Sequence, residues 1–318
     1  MVRIAVAAVT HKRPDMFRVL LESFAAMARP DDAEITFILV ENGEAATVGD
    51  IVEGFRKTVP EEVVFDNEPR PGIPMVRNKA LDIALERGFD FMTFVDDDER
   101  ADDGWLVALV NGVRSRKLDL AGGPLRLEAA DETGPWQEAF LTHLRERAAK
   151  RNKTRAAAVA NGTDNELNIY TNNWCVRLDK VRETGIRFDE ALQFTGGSDT
   201  KFSRDFASAG ARIGWIPDAI VYDRIPARRL TPGYHFRRAR DQSTNAYLLN
   251  ERPMLPTLGQ ALLRIIEAAF VLIGLPLTGR RAFAKATYKV GYSAGRIRGI
   301  LGRRSRHYDP EKVTGQRE

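Results

Sequence analysis

One stretch in the first third of the chain limits the folds that this sequence can adopt. Residues 91–95 are apolar or β-branched, and they run directly into four consecutive carboxylates at residues 96–99. The apolar run is typical of a strand that is buried on both faces, as in a parallel sheet. Ligands of open α/β sheets bind at the carboxyl ends of the strands, so Asp96 and Asp98 should emerge at the ligand edge.

Carboxylate oxygens at that edge suit a hard divalent cation. Mg²⁺ and Mn²⁺ are commonly bound by one or two carboxylates together with substrate phosphates and water. We therefore expect a metal that clamps a phosphorylated substrate, with Asp98 as the stronger ligand candidate and Asp96 as the second. The alternative is a solvated acidic turn that follows a strand and binds nothing.

Strand and helix patterns alternate through the first 220 residues. Apolar runs predict strands at 4–9, 35–40, 62–65, 119–121 and 213–216. Helical spacing of apolar residues predicts helices from Pro14 and at 48–57, 75–87, 102–116 and 201–209. Residues 66–74, with three prolines, should form a rigid loop, and the basic run 150–155 a solvated loop. This order indicates an α/β protein with a mostly parallel, doubly wound sheet.

Four motifs occur in a fixed order within the first 100 residues. They are Thr10-His11-Lys12-Arg13-Pro14, Glu41-Asn42-Gly43, a Gly-x-x-x-x-Arg-Asn run that ends at Asn78, and Phe94-Val95-Asp96-Asp97-Asp98-Glu99. In this order they resemble the nucleotide-binding half of the family 2 glycosyltransferases, and within them the bacterial exopolysaccharide enzymes of the succinoglycan type. The resemblance covers roughly residues 3–240. It implies the GT-A (Rossmann-like) fold, a mixed, mostly parallel sheet flanked by helices, and a nucleotide-diphosphate sugar donor.

The resemblance also implies which residues bind the donor. Thr10, His11 and Arg13 would line the nucleoside pocket, and Glu41 and Asp66 would face the base. Arg77 would lie near the diphosphate, unless it only pairs on the helix surface. Asp96 would lie near the ribose or the metal, Asp97 would help to bind the nucleotide-sugar, and Asp98 would bind the metal, Mn²⁺ or Mg²⁺.

A second motif region lies at residues 172–200. In the resembled enzymes an acidic pair occurs where this chain has Ser198-Asp199, and its second member is the general base. Asp199 is therefore the expected catalytic base, although a carboxylate at a helix start is also favoured as a cap. Gly196 and Gly197 let the backbone pass close to a ligand, and with Trp174 they form the expected acceptor site.

Two arginines and a histidine follow the last predicted strand. In the resembled enzymes a mobile segment here closes over the donor, and Arg228 or Arg229 would pair with the diphosphate, since arginine suits bidentate contact with phosphate. His235 is a candidate metal ligand, but a lone histidine on an aromatic and basic helix is more often structural.

The C-terminal part of the chain differs in charge from the rest. Residues 224–318 contain 19 basic and 6 acidic residues, against 29 and 38 in the remainder. Residues 258–277 are mostly apolar, but Arg264 and Glu267, which can pair at i,i+3, interrupt them. We expect an interfacial or re-entrant segment there, and at 280–301 an amphipathic helix on an anionic membrane surface. The alternative is a helix packed on the catalytic domain or on a second subunit.

These patterns predict a domain organisation. A catalytic domain should span 1–240, with a nucleotide-sugar-binding half at 1–123 and an acceptor half at 124–240. A helical, basic, membrane-associating region should follow at 241–304, and residues 305–318 should be disordered. The single cysteine, Cys175, rules out a disulfide framework within the chain and fits a reducing compartment.

The functional prediction is a metal-dependent, inverting sugar transferase at the cytoplasmic face of the bacterial inner membrane, peripheral or monotopic. Its donor would be a UDP-sugar and its acceptor a polyprenyl-diphosphate-linked glycan; a homodimer is left open. A nucleotidyltransferase or a dehydrogenase would need a glycine-rich phosphate loop, which is missing after the first strand. Nucleic acid is not expected as a partner, because few aromatic residues lie within the basic tail. A catalytically inactive assembly partner of a polysaccharide complex remains the alternative.

Overall fold

The structure is a computed structural model and describes residues 1–193, 196–248, 253–273 and 275–303. The chain forms two compact units that are interleaved along the sequence. The first comprises Met1–Arg126, Ala149–Gln193 and Gly197–Asp223. The second, as far as it is described, comprises Leu127–Ala148, Gly196 and residues 224–248, 253–273 and 275–303. The predicted tail at 305–318 lies outside the described residues.

Ten strands are present in the described residues. They are β1 (Val2–Thr10), β2 (Ala33–Asn42), β3 (Glu62–Glu68), β4 (Phe91–Asp96), β5 (Glu99–Ala101), β6 (Leu120–Gly122), β7 (Leu125–Ala129), β8 (Asn173–Arg177), β9 (Ile213–Trp215) and β10 (Val221–Ile225). Seven of them form the main sheet in the order β3-β2-β1-β4-β8-β6-β9. Only β8 runs antiparallel to its neighbours in this sheet. β5 and β10 pair antiparallel in a small second sheet.

Ten α-helices accompany the strands in the same part of the chain. They are α1 (Pro14–Ala26), α2 (Gly49–Arg56), α3 (Ile73–Glu86), α4 (Trp105–Arg116), α5 (Pro135–Ala160), α6 (Leu178–Thr184), α7 (Ser198–Ser208), α8 (Pro232–Leu248), α9 (Met254–Ile273) and α10 (Leu275–Ile300). The mixed, mostly parallel sheet flanked by helices confirms the predicted fold class.

Two apolar layers cover the faces of the main sheet. On one face, Phe17 and Phe24 of α1 and Trp105 of α4 pack with side chains of β1 and β2. On the other face, Leu81 of α3 and Phe202 of α7 belong to a second cluster. The strands are therefore buried on both sides, which explains why their sequences are nearly continuous apolar runs. Full burial of each large apolar side chain contributes about 1.5–3 kcal/mol relative to exposure.

Several predicted boundaries are shifted in the structure. Residues 66–68, predicted as loop, complete β3, where Asp66 pairs with Val40 of β2. α7 begins at Ser198, before the predicted start at 201, which places Asp199 in its first turn.

The basic run at 150–155 is not a loop, and this prediction was wrong. It belongs to α5, which continues to Ala160. Alanine, arginine and lysine are strong helix formers, and they dominate this stretch. The guanidinium of Arg155 also lies over the rings of Trp215 and Tyr170, which fixes this part of the helix within the first unit.

The second unit is helical apart from the ends of β7 and β10. α10 packs along α8 through three glycines: a Cβ built on Gly291, Gly295 or Gly299 would come within 2.1–2.7 Å of atoms of α8. Ser293 of α10 donates a hydrogen bond to the carbonyl oxygen of Ala261 on α9. The predicted helix at 280–301 thus exists, with one side packed on α8 and another on α9.

Candidate active site

The candidate site lies at the carboxyl ends of β1, β2 and β4 in the first unit. The order β3-β2-β1-β4 means that the chain builds outward from β1 on one side and then crosses to the other side to form β4. The gap between β1 and β4 is therefore a topological switch point, where ligands of open α/β sheets bind. Val9 pairs with Asp96 across this gap, and the carboxylate run emerges directly from it.

Asp97 is held by two residues of the loop after β1. The hydroxyl of Thr10 donates to Asp97 Oδ2 over 2.8 Å, and Arg13 Nη1 donates to Asp97 Oδ1 over 2.9 Å. The same Arg13 nitrogen lies 3.6 Å from Asp98 Oδ2. Thr10, Arg13 and Asp97, all predicted to bind the nucleotide-sugar, are thus brought together. The negative charge of Asp97 raises the pKa of Arg13.

Asp96 is paired with Arg77. Arg77 Nη2 lies 3.2 Å from Asp96 Oδ1, and Arg77 Nε has no hydrogen-bond partner within the described residues, although it is buried. Burial raises the pKa of Asp96 to about 6, with Arg77 opposing the shift and the charges of Asp98, Asp97 and Asp199 adding to it. The expected catalytic base is therefore close enough to the acidic run to act on it electrostatically.

Glu99, the last carboxylate of the run, is buried and hydrogen bonded. Its oxygens accept hydrogen bonds from the backbone N–H of Asp96 and from the amide of Asn172, over 3.2 and 3.1 Å. Burial, together with the neighbouring charges of Asp96 and Asp223, raises the pKa of Glu99 well above its ordinary value. A glutamate in this position fixes the backbone from which Asp96 and Asp98 project.

The donor set fits a divalent cation. Residues 96–99 contribute four carboxyl groups, and two arginines, Arg13 and Arg77, lie against them. Burial is the main cause of the raised pKa of Asp96, and the neighbouring carboxylates add to it; a bound cation would oppose both effects. No group of three or more His, Cys, Asp or Glu side chains with metal-binding geometry occurs in the described ranges. Two carboxylates, such as Asp98 and Asp96, are the number with which Mg²⁺ or Mn²⁺ commonly binds when substrate phosphates and water complete its coordination.

Asp199 lies in the first turn of α7. Its Oδ1 accepts the backbone N–H of its neighbour Thr200 over 2.7 Å, so the carboxylate also orders the helix start. Gly196 and Gly197 precede it with φ values of 78° and 93°, a conformation that favours glycine. The two glycines thus make the turn that presents Asp199.

Three more predicted donor residues lie at the same edge. His11 Nδ1 is hydrogen bonded to the carbonyl oxygen of Asn42 at the end of β2. Glu41 is buried and accepts the backbone N–H groups of Thr47 and Val48, so it organises the loop before α2. Asp66 is half-exposed and forms a 2.8 Å ion pair with Lys79.

Trp174 is placed in the core and not at an acceptor surface. Its ring is 1% exposed and packs against Phe94, Phe188 and Phe202. An indole enclosed in this way has no free face on which a sugar could stack. Trp174 is therefore a core residue and not part of an acceptor site. The apolar residues that enclose it come from distant parts of the chain, which is why the local motif misled the prediction.

The remaining candidates lie in the second unit. Arg228 and Arg229 belong to a short 3₁₀ helix, Ala227–Arg229. The ring of His235 is buried 4.6 Å from that of Phe140, and burial lowers its pKa to about 4. This environment supports the structural interpretation of His235.

Asn78 is a site residue that the sequence analysis did not assign. Its amide nitrogen donates to the carbonyl oxygen of Phe188, and its oxygen accepts the N–H of the same residue, both over 2.9 Å. It thereby connects α3 to the loop that precedes the two glycines and Asp199. Its position beside Arg77 in the Arg-Asn motif was the available signal.

A cavity of about 710 Å³ opens elsewhere on the first unit. It is lined by residues 115–118, 164–165 and 210–213. Residues 115–118 and 210–212 precede β6 and β9, so the cavity lies at the amino ends of these two parallel strands. Arg116 and Asp164 there pair with each other over 2.7 Å, and we assign no chemistry to this cavity.

The mixed, mostly parallel sheet flanked by helices is the GT-A glycosyltransferase fold. Solved structures agree. A mannosyltransferase of Pyrobaculum calidifontis, solved with GDP-Man and Mn²⁺, has a TM-score of 0.54 at 13% identity and aligns with 98% of this chain and 79% of its own. S. aureus TarS, solved with UDP-GlcNAc, has a TM-score of 0.51 at 14% identity, with 95% and 92% covered.

In sequence, the chain is similar to the succinoglycan biosynthesis protein ExoM of Rhizobium meliloti (strain 1021). The two are 28% identical over 250 residues, which is 78% of this chain and 76% of that protein. This similarity confirms the resemblance derived from the motifs. The chain spans 55% of the longer TarS chain that also matches. No protein-family model matches the chain.

Proposed function

We propose that this protein is a metal-dependent, inverting glycosyltransferase that takes a sugar from a nucleotide-diphosphate donor. The proposed donor is a UDP-sugar. The observation that carries the proposal is the carboxylate run at the switch point, with Arg13 and Arg77 against it and Asp199 near it. The similarity to ExoM, a succinoglycan biosynthesis protein, supports a role in the synthesis of an exopolysaccharide or another surface polysaccharide.

In this mechanism Asp199 accepts the proton of an acceptor hydroxyl as that oxygen attacks the anomeric carbon of the donor sugar. A glycosidic C–O bond forms, and the bond from the anomeric carbon to the diphosphate breaks with its electron pair on the leaving group. Attack from the face opposite the diphosphate inverts the configuration. Asp98 and Asp96 would hold a divalent cation, which would supply Lewis-acid neutralisation of charge on the leaving diphosphate.

The other residues bind and orient the donor. Arg77, whose Nε is unpartnered within the described residues, offers a donor to a diphosphate oxygen while its Nη2 holds Asp96. Thr10 and Arg13 fix the carboxylate of Asp97, and Arg13 also lies 3.6 Å from Asp98, the first candidate ligand of the cation. His11 and Asp66 contact the nucleoside, and Glu41 shapes that pocket through the loop at residues 43–47. Arg228 or Arg229 pairs with the diphosphate.

The proposed acceptor is a polyprenyl-diphosphate-linked glycan, with the backbone of Gly196 and Gly197 lining its site. A lipid-linked acceptor requires the enzyme to work at a membrane, here the cytoplasmic face of the inner membrane. The excess of basic residues in the C-terminal part fits attraction to anionic lipids.

Calorimetric titration tests the donor site. UDP, GDP and dTDP are titrated into the wild type with Mn²⁺ and with EDTA, and into Asp98→Ala and the control Asp50→Ala, an exposed aspartate on α2. We expect one nucleotide to bind only with metal, and Asp98→Ala to weaken that binding by about tenfold or more. Equal binding in EDTA would remove the metal from the proposal. No binding of any nucleotide would instead favour the inactive assembly partner.

A further inference from the structure

α9 presents an uncovered apolar surface. Six large apolar side chains on this helix are each 45–79% exposed: Leu255, Leu262, Leu263, Ile266, Phe270 and Ile273. The helix is 20 residues long, and by length and composition it could cross a membrane. Its buried residues form only a narrow stripe that includes Ala261 and Ala268.

The two charged residues of α9 are turned toward α10. Glu267 forms a 2.7 Å ion pair with Lys289, and the guanidinium of Arg264 lies 4.9 Å from the ring centroid of Tyr292. By sequence Arg264 and Glu267 can pair with each other at i,i+3, and the structure gives each a partner on α10 as well. The outward surface of α9 is therefore apolar without interruption by charge.

These contacts decide between a spanning and an interfacial orientation. α10 runs antiparallel beside α9, as the pairs Ser293 with Ala261 and Lys289 with Glu267 show. α10 also carries Lys285 and Arg296 and is packed along α8 through its glycines. If α9 crossed the hydrocarbon core, α10 and its charges would have to follow it, which is unfavourable.

Positive charge flanks the apolar surface at both ends. The antiparallel pairing places Arg280 and Arg281 near Ile273, and Arg298 and Arg303 near Met254. Trp136, half-exposed and beneath the guanidinium of Arg280, adds an aromatic side chain of the kind enriched at membrane interfaces. An apolar strip between cationic ends is complementary to the acyl boundary and headgroups of an anionic bilayer.

We propose that α9 is an interfacial membrane helix: it lies in the plane of an anionic bilayer with Leu262, Ile266 and Phe270 in the acyl boundary and with α10 on its solvent side. The sequence prediction left residues 258–277 as an interfacial or re-entrant segment and gave a second membrane-surface helix to 280–301. The contacts of α9 with α10 favour the interfacial alternative for α9 and put α10 on its solvent side. This assignment does not depend on the proposed sugar transfer.

Vesicle sedimentation with the full chain tests the surface. Vesicles of phosphatidylcholine alone and with phosphatidylglycerol are compared for the wild type, Leu262→Glu and Phe270→Glu, with Leu248→Glu, an exposed leucine of α8, as the matched control. We expect tighter binding to the anionic vesicles, and a loss of about tenfold or more for each α9 variant but not for the control. Unchanged binding of both α9 variants would overturn the proposal.

The orientation needs a second measurement. In a Cys175→Ser background, a fluorophore is attached through Leu255→Cys, Leu262→Cys or Phe270→Cys, and its depth is measured with lipid-borne quenchers. An interfacial helix gives one shallow depth of about 5–10 Å for all three labels. A spanning helix separates the outer two by about 22 Å along the helix axis, and that result would overturn the proposal.

A second copy of the chain is the competing occupant of this surface. In that case the lipid-free protein would be a dimer by light scattering, Phe270→Glu would make it a monomer, and vesicle binding would not change. This combination would also refute the membrane assignment. A monomer without lipid, together with the losses predicted above, supports it.

Discussion

At the scale of single residues, three of the four acidic side chains at 96–99 differ in their surroundings because they meet different partners. Asp97 is bound by Thr10 and Arg13, Asp96 by Arg77, and Glu99 holds the backbone of Asp96. In sequence they are one undivided run. That the run is acidic and lies at the ligand edge was predictable from sequence. Which carboxylate meets which partner was not, because the partners lie up to 87 residues away in the chain.

The proposed catalytic role of Asp199 can be separated by mutation from its contact with the backbone at the start of α7. Asn at this position can still accept the N–H of Thr200 but cannot take a proton, so Asp199→Asn should fold normally. We expect kcat to fall by about 10²–10⁴-fold while the affinity for nucleotide is unchanged. Steady-state sugar transfer measures this, with Asp205→Asn on the same helix as control. A kcat close to that of the wild type would leave Asp199 as a cap only.

Two buried histidines should make the second unit sensitive to acid. Burial lowers the pKa of His143 and His235 to about 4, and Arg147 and Lys285 near His143 and Arg238 near His235 oppose their protonation further. Glu146 acts in the opposite direction at His143. The unfolded chain, with histidine pKa near its ordinary 6.5, binds more protons than the folded chain between pH 6.5 and 4.

The free energy of unfolding should therefore fall as the pH is lowered from about 6.5 to about 4. Below pH 4 these two histidines should cause no further decrease. The expected loss is on the order of 2 kcal/mol per histidine. Urea unfolding at several pH values measures it in the wild type and in His143→Leu and His235→Leu. A variant with the same pH slope as the wild type would contradict the assignment.

At the scale of elements, the close packing of α8 and α10 depends on glycine. A Cβ on Gly295 would lie 2.1 Å from the carbonyl oxygen of Arg240, so Gly295→Ala must separate the two helices. Gly259 on α9 has nothing within 4 Å and is the matched control. We expect Gly295→Ala to lower the free energy of unfolding by about 1–3 kcal/mol, and Gly259→Ala to raise it by up to about 1 kcal/mol.

Urea unfolding compares the two glycine variants directly. The same substitution in two helices isolates packing from helix propensity, because alanine favours the helical backbone at both positions. Equal effects of the two substitutions would show that α8 and α10 are not in backbone contact.

At the scale of the whole molecule, the only cysteine reports on the first unit. Cys175 lies in the middle of the main sheet, pairs with Thr93 and Ala121 on its two sides and is fully buried, which raises its pKa. Its thiol should react with an aromatic disulfide reagent only when the sheet opens. The rate should rise with urea in parallel with unfolding, and rapid reaction in native buffer would contradict the sheet order.

The sequence by itself determined the alternation of strands and helices, the ligand edge and the acidic run, because apolar periodicity and turn chemistry are local properties. The tertiary structure decided the features that depend on distant partners. It put Trp174 in the core, extended α5 through the basic run at 150–155, and turned the charges of α9 toward α10. Burial and pairing across long separations are set by which elements meet, and no local pattern encodes that choice.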